Sequence, residues 1–553
     1  MESPLRIALP FEPRQHLASE NPSGFHIVNA EFLHALARHG RSGELLLLAA
    51  RANAAPPGLG GEGALKQTRV LDILELVRQP QPPPVDLLHD LSCQVDRALT
   101  VRGHWNGPAF PLTFVSHGLV LQLSLRALAY PLLLGGIQPF DSLICISHGI
   151  KRGLERLLDS AAESFARVAG ADAPRLRYRG RLDVIHWAVD SERFGSVARS
   201  EARAALGIPQ DAFVLLSIGR ISPFSKGDLL PLLGLFRDLR ASNPERKLRL
   251  VIAGSVDVQS YNTVLQGHAR SLGVTEHVQW LGGVEPSRRH LVHAAADVFV
   301  SLNDATGEGF GLTPLEALAS GVPQVVSDWD GMREMLVHGE TGFLVPTVWA
   351  NCDDELILHG LVGGQTHRDL WTAQSIATDM TAMRRSLQAL IDSPELRARM
   401  GEASRLRAAR LFSWKEIIRQ YEELWQELAG LARAAPPARA QMLPEAIHGV
   451  LGHYAAEQLE PSTPLKLTEA GSRLLTQGEF VPLYGQPPPV EPERVVALLG
   501  ALSARNGGPC TLATLEQDTL ATWGSGHTWF LRHVLWLLKF GLLEVERPLP
   551  GVG

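Results

Sequence analysis

Short aliphatic runs alternate with helix-patterned segments along most of this chain, and the alternation starts twice. Up to about residue 200 the runs LRIALP, GELLLLAA, PLTFVSH, DSLICIS and LDVIHWAV are separated by stretches such as IVNAEFLHALARHG, whose apolar residues recur at helical spacing. From residue 211 the rhythm begins again with AFVLLSIGR, KLRLVIAG, HVQWLGG, ADVFVSL and PQVVSD. Strands that are apolar throughout, each followed by a helix, predict parallel sheets covered on both faces. Two such α/β domains of similar size place any ligand at the carboxyl ends of the strands, in the cleft where the domains face each other.

The length of 553 residues agrees with two large domains and a tail. With 45% apolar and 20% charged residues and a formal net charge of −6, the chain has no global attraction for nucleic acid or anionic membrane, so an anionic ligand must be met locally. Cys93, Cys145, Cys352 and Cys510 lack C-x-x-C spacing, which argues against a zinc site and a disulfide framework and for a reducing compartment. No stretch offers about eighteen uninterrupted apolar residues, and the start MESPLRIALPFEP lacks the features of a signal peptide. A cytoplasmic protein is expected.

The chemistry concentrates in NDATGEGFGLTPLEALASGVPQVVSDWDG, residues 303–331. Thr313, Pro314 and Glu316 read as a T-x-x-E capping box with proline at the first helical position, so the glycine-rich loop ends in a helix N-terminus. Free N–H groups there, with the helix dipole, suit a phosphate; the glycines by themselves would equally make a plain turn. Arg220 and Lys226, in SIGRISPFSKG after the first strand of the second domain, add two cations able to reach the same crevice and to stabilise a departing pyrophosphate.

In order and spacing, GRISPFSKG, LVIAG, VQWLGGV, ADVFVSL and GEGFGLTPLEALASGVPQVVSDWDGMREMLVHGETGFLVP resemble the retaining glycosyltransferases of family four. The resemblance covers most of 205–346 and includes the E-x7-E pair Glu308 and Glu316. FSWKEIIRQYEELW is similar to the family's crossover helix. The resemblance implies the GT-B fold, two Rossmann-like doubly wound α/β domains facing across a cleft. It divides the chain into an acceptor-side domain (1–204), a nucleotide-sugar domain (205–411), a crossover helix (412–434), a linker (435–446) and a small, mainly helical, winged-helix-like module (447–553).

It further implies a donor that is a nucleotide-diphosphate sugar, with no cofactor. Glu308 would contact the sugar hydroxyls and Glu316 the ribose. Gly254, Phe310, Gly311 and Leu312 would offer backbone to the donor, and Arg220 and Lys226 would bind its diphosphate. On the acceptor side, Gly24 opens a helix in ENPSGFHIVNAEFL, and His117 ends the strand PLTFVSH, where the family places a histidine beside the reacting sugar. Alone, such a histidine is more often a hydrogen-bonded structural group than a catalytic one. The family's paired glycine near the start is absent, and Trp187 and Ala188 stand where it has asparagine and glycine, which leaves the acceptor (glycan, lipid-linked or protein) and the hinge open.

No metal is expected. Asp328 and Asp330 form a D-x-D in SDWDG, but Arg220 and Lys226 already supply the charge, and a turn or acceptor role suits the aspartates better. The apolar stretch 119–137 is read as a buried helix, with weak membrane association as its alternative, and 348–374 as an insertion that could border the cleft. The third helical pattern of the tail carries mainly apolar residues against Arg532 and Lys539, which suits packing or a protein contact and not nucleic acid. Two rival functions remain, an inactive sugar-nucleotide sensor signalling through the tail and a sugar phosphorylase of the same architecture.

Overall fold

The computed structural model describes residues 4–12, 24–41, 43–49, 68–73, 84–104, 109–119, 129–134, 136–170, 176–435, 451–477, 490–505, 508, 510–523 and 527–546. The first sheet comprises β1 (Arg6–Pro10), β2 (Glu44–Ala49), β3 (Thr68–Asp72), β4 (Leu87–Asp90), β5 (Leu112–Ser116), β6 (Ser142–Cys145) and β7 (Arg181–Val184), in the order β3-β2-β1-β4-β5-β6-β7. The second comprises β8 (Phe213–Ile218), β9 (Leu248–Ala253), β10 (Val278–Gly282), β11 (Val298–Ser301), β12 (Gln324–Ser327) and β13 (Gly342–Val345), in the order β10-β9-β8-β11-β12-β13. Every strand pair described in both sheets is parallel. Each sheet reverses direction of winding beside its first strand, between β1 and β4 and between β8 and β11, and opens a crevice at that point. The doubly wound expectation therefore holds for both domains.

Why these segments are strands is visible in their burial. Leu45 to Leu48 of β2 and Val214 to Leu216 of β8 are at most 2% exposed, as strands covered by helices on both faces require. Buried charge then fixes how the covering helices sit. Arg203, on the helix Arg199–Leu206, donates to Asp297 at 2.6 Å, and Asp297 also accepts from the Val214 backbone N–H. That carboxylate joins the link between the domains to the start of β8.

The crossover helix spans Trp414–Ala434, capped by the Ser413 hydroxyl, which accepts from the Glu416 N–H. All six of its apolar positions read from the sequence, Trp414, Ile417, Ile418, Tyr421, Leu424 and Trp425, are buried. The helix returns to the first domain and packs on the helix Gly24–His39, where Phe32 meets the Tyr421 ring at a centroid distance of 5.0 Å. Burying one such aromatic is worth ~2–3 kcal/mol, so this seam binds the second domain to the first through several large side chains. The hinge segment is packed as well: Trp187 is 8% exposed and Ala188 fully buried.

The insertion 348–374 becomes the helix Asp353–Gln374, bent at Gly364, between two short antiparallel strands, β14 (Thr347–Trp349) and β15 (Ile376–Thr378). Its last residue, Gln374, donates to Asp228 at 3.1 Å, just past Lys226, so this segment does reach the rim of the second domain's crevice. Most of the 119–137 stretch lies outside the described residues; within it Tyr130–Leu134 is helical and Leu132 is buried. The linker 435–446 likewise lies outside them, apart from its first residue. Among the described residues no helix is long and apolar enough to cross a membrane.

Residues 451–546 build a third unit. Helices Glu469–Gln477, Pro492–Ser503, Leu512–Trp523 and His527–Lys539 cover a small sheet, β17-β16-β18, formed by β16 (Pro464–Leu467), β17 (Cys510–Thr511) and β18 (Leu543–Val545). Its core, with Leu465, Leu498, Leu515, Phe530, Val534 and Leu537 buried, is separate from the cores of the two large domains. Phe530 and Val534 are fully buried, as the apolar reading of this helix required. A separate core predicts that the chain ending at residue 440 stays folded, with its melting midpoint unchanged by calorimetry; an insoluble product or a lowered midpoint would show that the third unit covers part of the main body.

Candidate active site

The mouth of the second domain's crevice is built from the ends of β8, β9 and β11. β8 delivers Gly219 and Arg220; β9 ends at Gly254, whose φ of 145° and close approach both demand glycine, since a Cβ there would stand 1.7 Å from the Gly219 carbonyl oxygen. The two strand ends are thus pressed together and leave bare backbone beside Arg220. Lys226 and Glu308 line the same pocket as Arg220, together with Asn303, Thr313, Pro314 and Met332. The structure thus brings Arg220 and Lys226 into one pocket with Glu308 of the glycine-rich loop.

Within that pocket the charges are paired. The Lys226 ammonium donates to Glu308 Oε2, and Glu308 is 9% exposed. Arg220 donates to Asp257 at 3.0 Å and keeps 42% of its side chain exposed to the crevice and solvent. Asp304 lies one turn of loop before Glu308; burial, with the Asp228 charge nearby, pushes its carboxyl up to about 7.

The capping box does not form, and this is a correction. Gly311, at φ 89°, takes the N-cap position, the helix Leu312–Ala319 begins one residue later, and no side chain caps it. Thr313 is already inside the first turn, so Glu316 projects from the helix body instead of folding back. There its Oε2 accepts from Arg289 Nη2 at 2.6 Å and Nε at 3.1 Å, and from His293 Nε2 at 3.0 Å. Burial raises the Glu316 pKa, but Arg289 and His293 outweigh it and hold the carboxyl below its usual range. His293, wholly buried, is held below its ordinary value mainly by loss of solvent and remains neutral.

Phe310 serves differently from its neighbours. Its ring is fully buried, 5.1 Å from the His186 ring and 5.7 Å from that of Phe412, so the side chain locks the loop to the interdomain segment while the backbone remains by the crevice. Gly311 and Leu312 supply the free helix N-terminus.

The first domain faces this site directly. A Cβ on Gly118 would lie 2.9 Å from the Gly307 carbonyl oxygen, so the end of β5 abuts the glycine-rich loop across the cleft. His117 precedes it. Its Nε2 donates to the Leu91 carbonyl at 2.6 Å, which fixes the tautomer and leaves Nδ1 as an acceptor; that atom is buried without a protein partner. Burial brings the His117 pKa down to about 4, so the ring is neutral at physiological pH. Phe25, next to Gly24 at the start of the helix Gly24–His39, stands edge-on to it at 4.8 Å. Gly24 opens that helix as expected; the residues immediately before it lie outside the described ones.

Asp328 and Asp330 are turned to separate tasks. Asp328 accepts from Arg333 at 2.6 Å, whereas Asp330, at φ 36°, accepts from the Ser147 hydroxyl at 2.8 Å across the cleft. Burial pushes the Asp330 carboxyl up to about 6. The turn reading suits these contacts.

Several site residues escaped the sequence. Arg289 and His293 share one helix face at i and i+4, in RRHLVHA, a spacing that could have signalled a joint carboxylate partner. Glu31 reaches in from the helix Gly24–His39, accepting from Trp414 Nε1 at 3.3 Å, and burial together with the Glu316 charge pushes it up to about 7. Nothing local to its sequence marks it.

Two doubly wound domains closed over a cleft and tied by a returning helix define the GT-B class of glycosyltransferase folds. Solved structures agree: sucrose-phosphate synthase from Thermosynechococcus elongatus superposes with a TM-score of 0.52 at 19% identity, over 77% of this chain and 100% of that one. A glycosyltransferase from Rickettsia africae does so with a TM-score of 0.52 at 12% identity, over 77% and 99%. In sequence, residues 198–356 match the family described as glycosyl transferases group 1. D-inositol 3-phosphate glycosyltransferase 2 of Catenulispora acidiphila is 34% identical over 191 residues, 34% of this chain and 42% of that protein. The D-inositol 3-phosphate glycosyltransferase of Corynebacterium glutamicum is 29% identical over 255 residues, 45% and 52%. The chain thus spans about half the length of these curated relatives. Over this stretch the resemblance to the family-four glycosyltransferases is borne out.

Proposed function

We propose that this protein transfers a sugar from a nucleotide-diphosphate sugar to an acceptor, with retention of anomeric configuration and without a metal on the diphosphate. The observation that carries this reading is the convergence of Arg220, Lys226, Glu308 and the first turn of the helix, through Thr313 and Pro314, on one pocket, beside the glycine-rich loop that Gly118, next to the neutral His117, abuts from the opposite domain.

In this reading Arg220 and Lys226 hold the diphosphate and stabilise the charge that grows as it leaves. Glu308 and the unpartnered Nδ1 of His117 accept hydrogen bonds from sugar hydroxyls; Glu316, steadied by Arg289 and His293, meets the ribose. Gly254, Phe310, Gly311 and Leu312 contribute backbone, and Gly24 borders the acceptor side. The acceptor hydroxyl attacks from the face the diphosphate leaves, and a phosphate oxygen takes its proton. The carbon–oxygen bond to phosphate breaks as the bond to the acceptor oxygen forms, so the products are a glycoside and a nucleoside diphosphate.

The test is a panel of nucleotide sugars assayed for thermal stabilisation and for release of nucleoside diphosphate. The right donor at a hundred times its Kd adds about 2.7 kcal/mol of stability. No stabilisation by any member would overturn the reading, and stabilisation without nucleotide release would identify a sensor. Adding Mg2+ leaves affinity for the nucleoside diphosphate unchanged; a gain abolished by Asp328→Asn or Asp330→Asn would place a metal on the diphosphate.

A further inference from the structure

His148, His186 and Glu334 come together at the domain junction from three distant segments. His148 is the first residue of the helix His148–Ala169 of the first domain, His186 follows β7 in the hinge, and Glu334 belongs to the helix Met332–Met335 of the second domain. Glu334 Oε2 lies 2.7 Å from His148 Nδ1 and 2.8 Å from His186 Nε2, and its Oε1 accepts from the His148 backbone N–H at 2.7 Å. One ligand atom from each of the three residues lies within 4.8 Å of the others. None of the three lines the pocket that holds Arg220 and Lys226.

We propose that these three side chains form a binding site for a divalent cation of the zinc class, which joins the two domains across their cleft. Two imidazoles and one carboxylate suit a borderline ion and are a poor match for Mg2+ or Ca2+, which prefer all-oxygen shells. Zinc–nitrogen and zinc–oxygen bonds of about 2.0–2.2 Å in a tetrahedron set the ligand atoms about 3.3 Å apart. The carboxylate oxygen therefore withdraws by about 0.5 Å from each ring, and the two ring nitrogens, now within 4.8 Å of each other, adjust toward the same separation as the cation enters. Coordination requires each ring nitrogen that donates to Glu334 to give up its proton, to the other nitrogen of the ring or to solvent.

The surroundings hold the ligands in place. The His186 ring stands against Phe310 at 5.1 Å and Phe412 at 5.7 Å, which limits its rotation. Arg407 donates to the backbone carbonyls of Glu334 and Met335, both at 2.7 Å, and fixes the short helix that carries the carboxylate. His148 is 59% exposed, so the site opens to solvent and leaves a fourth position for water. Because the ligands belong to both domains and the hinge, the bound ion ties them in the closed arrangement.

The test uses the tag-free, full-length protein after removal of metals by chelation. Titration with Co2+, read by the visible d–d absorption of a tetrahedral site, and competition by Zn2+ give the stoichiometry and affinity. One equivalent is expected, and Zn2+ should raise the melting midpoint where Mg2+ does not. His148→Gln changes an exposed ring and leaves the fold intact by circular dichroism; it and Glu334→Gln should each weaken binding on the order of 10- to 100-fold. Absence of a cobalt spectrum, or binding that both variants retain at full affinity, overturns the site.

Discussion

Replacement of Lys226 by alanine lowers kcat/KM with a nucleotide-sugar donor on the order of 100- to 1000-fold, equivalent to ~2.7–4 kcal/mol of lost transition-state stabilisation. Two effects add. A fixed cation in a crevice stabilises a leaving diphosphate most when its charge is largest, so part of the loss falls on kcat. The other effect is on Glu308, which is 9% exposed and bonded to Lys226; without the ammonium its carboxylate is left buried and unpaired, facing a dianionic ligand. Arg220→Ala is expected to act in the same direction but less strongly, because that side chain is 42% exposed and already shares its charge with Asp257. Steady-state kinetics on both variants, with calorimetric titration of the nucleoside diphosphate, decides the matter. Wild-type kcat/KM in either variant removes that residue from the site.

The parts legible in the sequence share one property: local pattern and tertiary demand agree. β2, β8, β11 and the crossover helix are apolar with the period their environment requires, and Ser413 announces the helix it caps. β3, TRVLD, and β4, LLHD, gave no such signal. β3 sits at the sheet edge and carries Arg69 and Asp72 about a short apolar pair, and β4 ends in His89 and Asp90, polar residues that tertiary contacts bury. Gly254 was placed at the site from resemblance, and the structure supplies a physical reason in its contact with Gly219.

The site itself divides in the same way. Glycines, the cation pair and the two glutamates were visible because the loop holding most of them is contiguous and lies where an α/β sheet opens. Their pairing was not, since Lys226 and Glu308 are 82 residues apart and the partners of Glu316 come from a different helix. The T-x-x-E pattern misled because it encodes a cap only if the helix starts at threonine. The left-handed Gly311 turned the chain earlier and freed Glu316 for Arg289. That two-residue shift changes what the second glutamate can do, and it makes the two glutamates separable by experiment.

Glu308→Gln is expected to depress turnover while leaving the affinity for free nucleoside diphosphate unchanged or slightly higher. That ligand has no sugar to lose, and neutralising Glu308 releases Lys226 for the phosphates. Glu316→Gln is expected to do the opposite in two respects. It weakens nucleoside diphosphate and full donor alike, by roughly 1–3 kcal/mol for a hydrogen bond to a charged group. It also destabilises the fold by about 3 kcal/mol, because Arg289 keeps its charge in a buried pair whose partner is gone. The acid limb of stability follows from the same contacts. Glu316 is held below its ordinary 4.5, so its contribution is complete above that value and is lost as pH falls through the depressed folded value. His293 is also depressed, from 6.5, and being neutral when folded it adds a further loss as pH falls below 6.5. Glu316→Gln removes the first loss and keeps the second, so its stability falls less steeply than wild type below about pH 4.5. Calorimetric titration of both ligands into both variants, well below each melting midpoint, separates the roles. If Glu316→Gln loses stability with both affinities intact, Glu316 only anchors Arg289 and His293, and the ribose lies elsewhere.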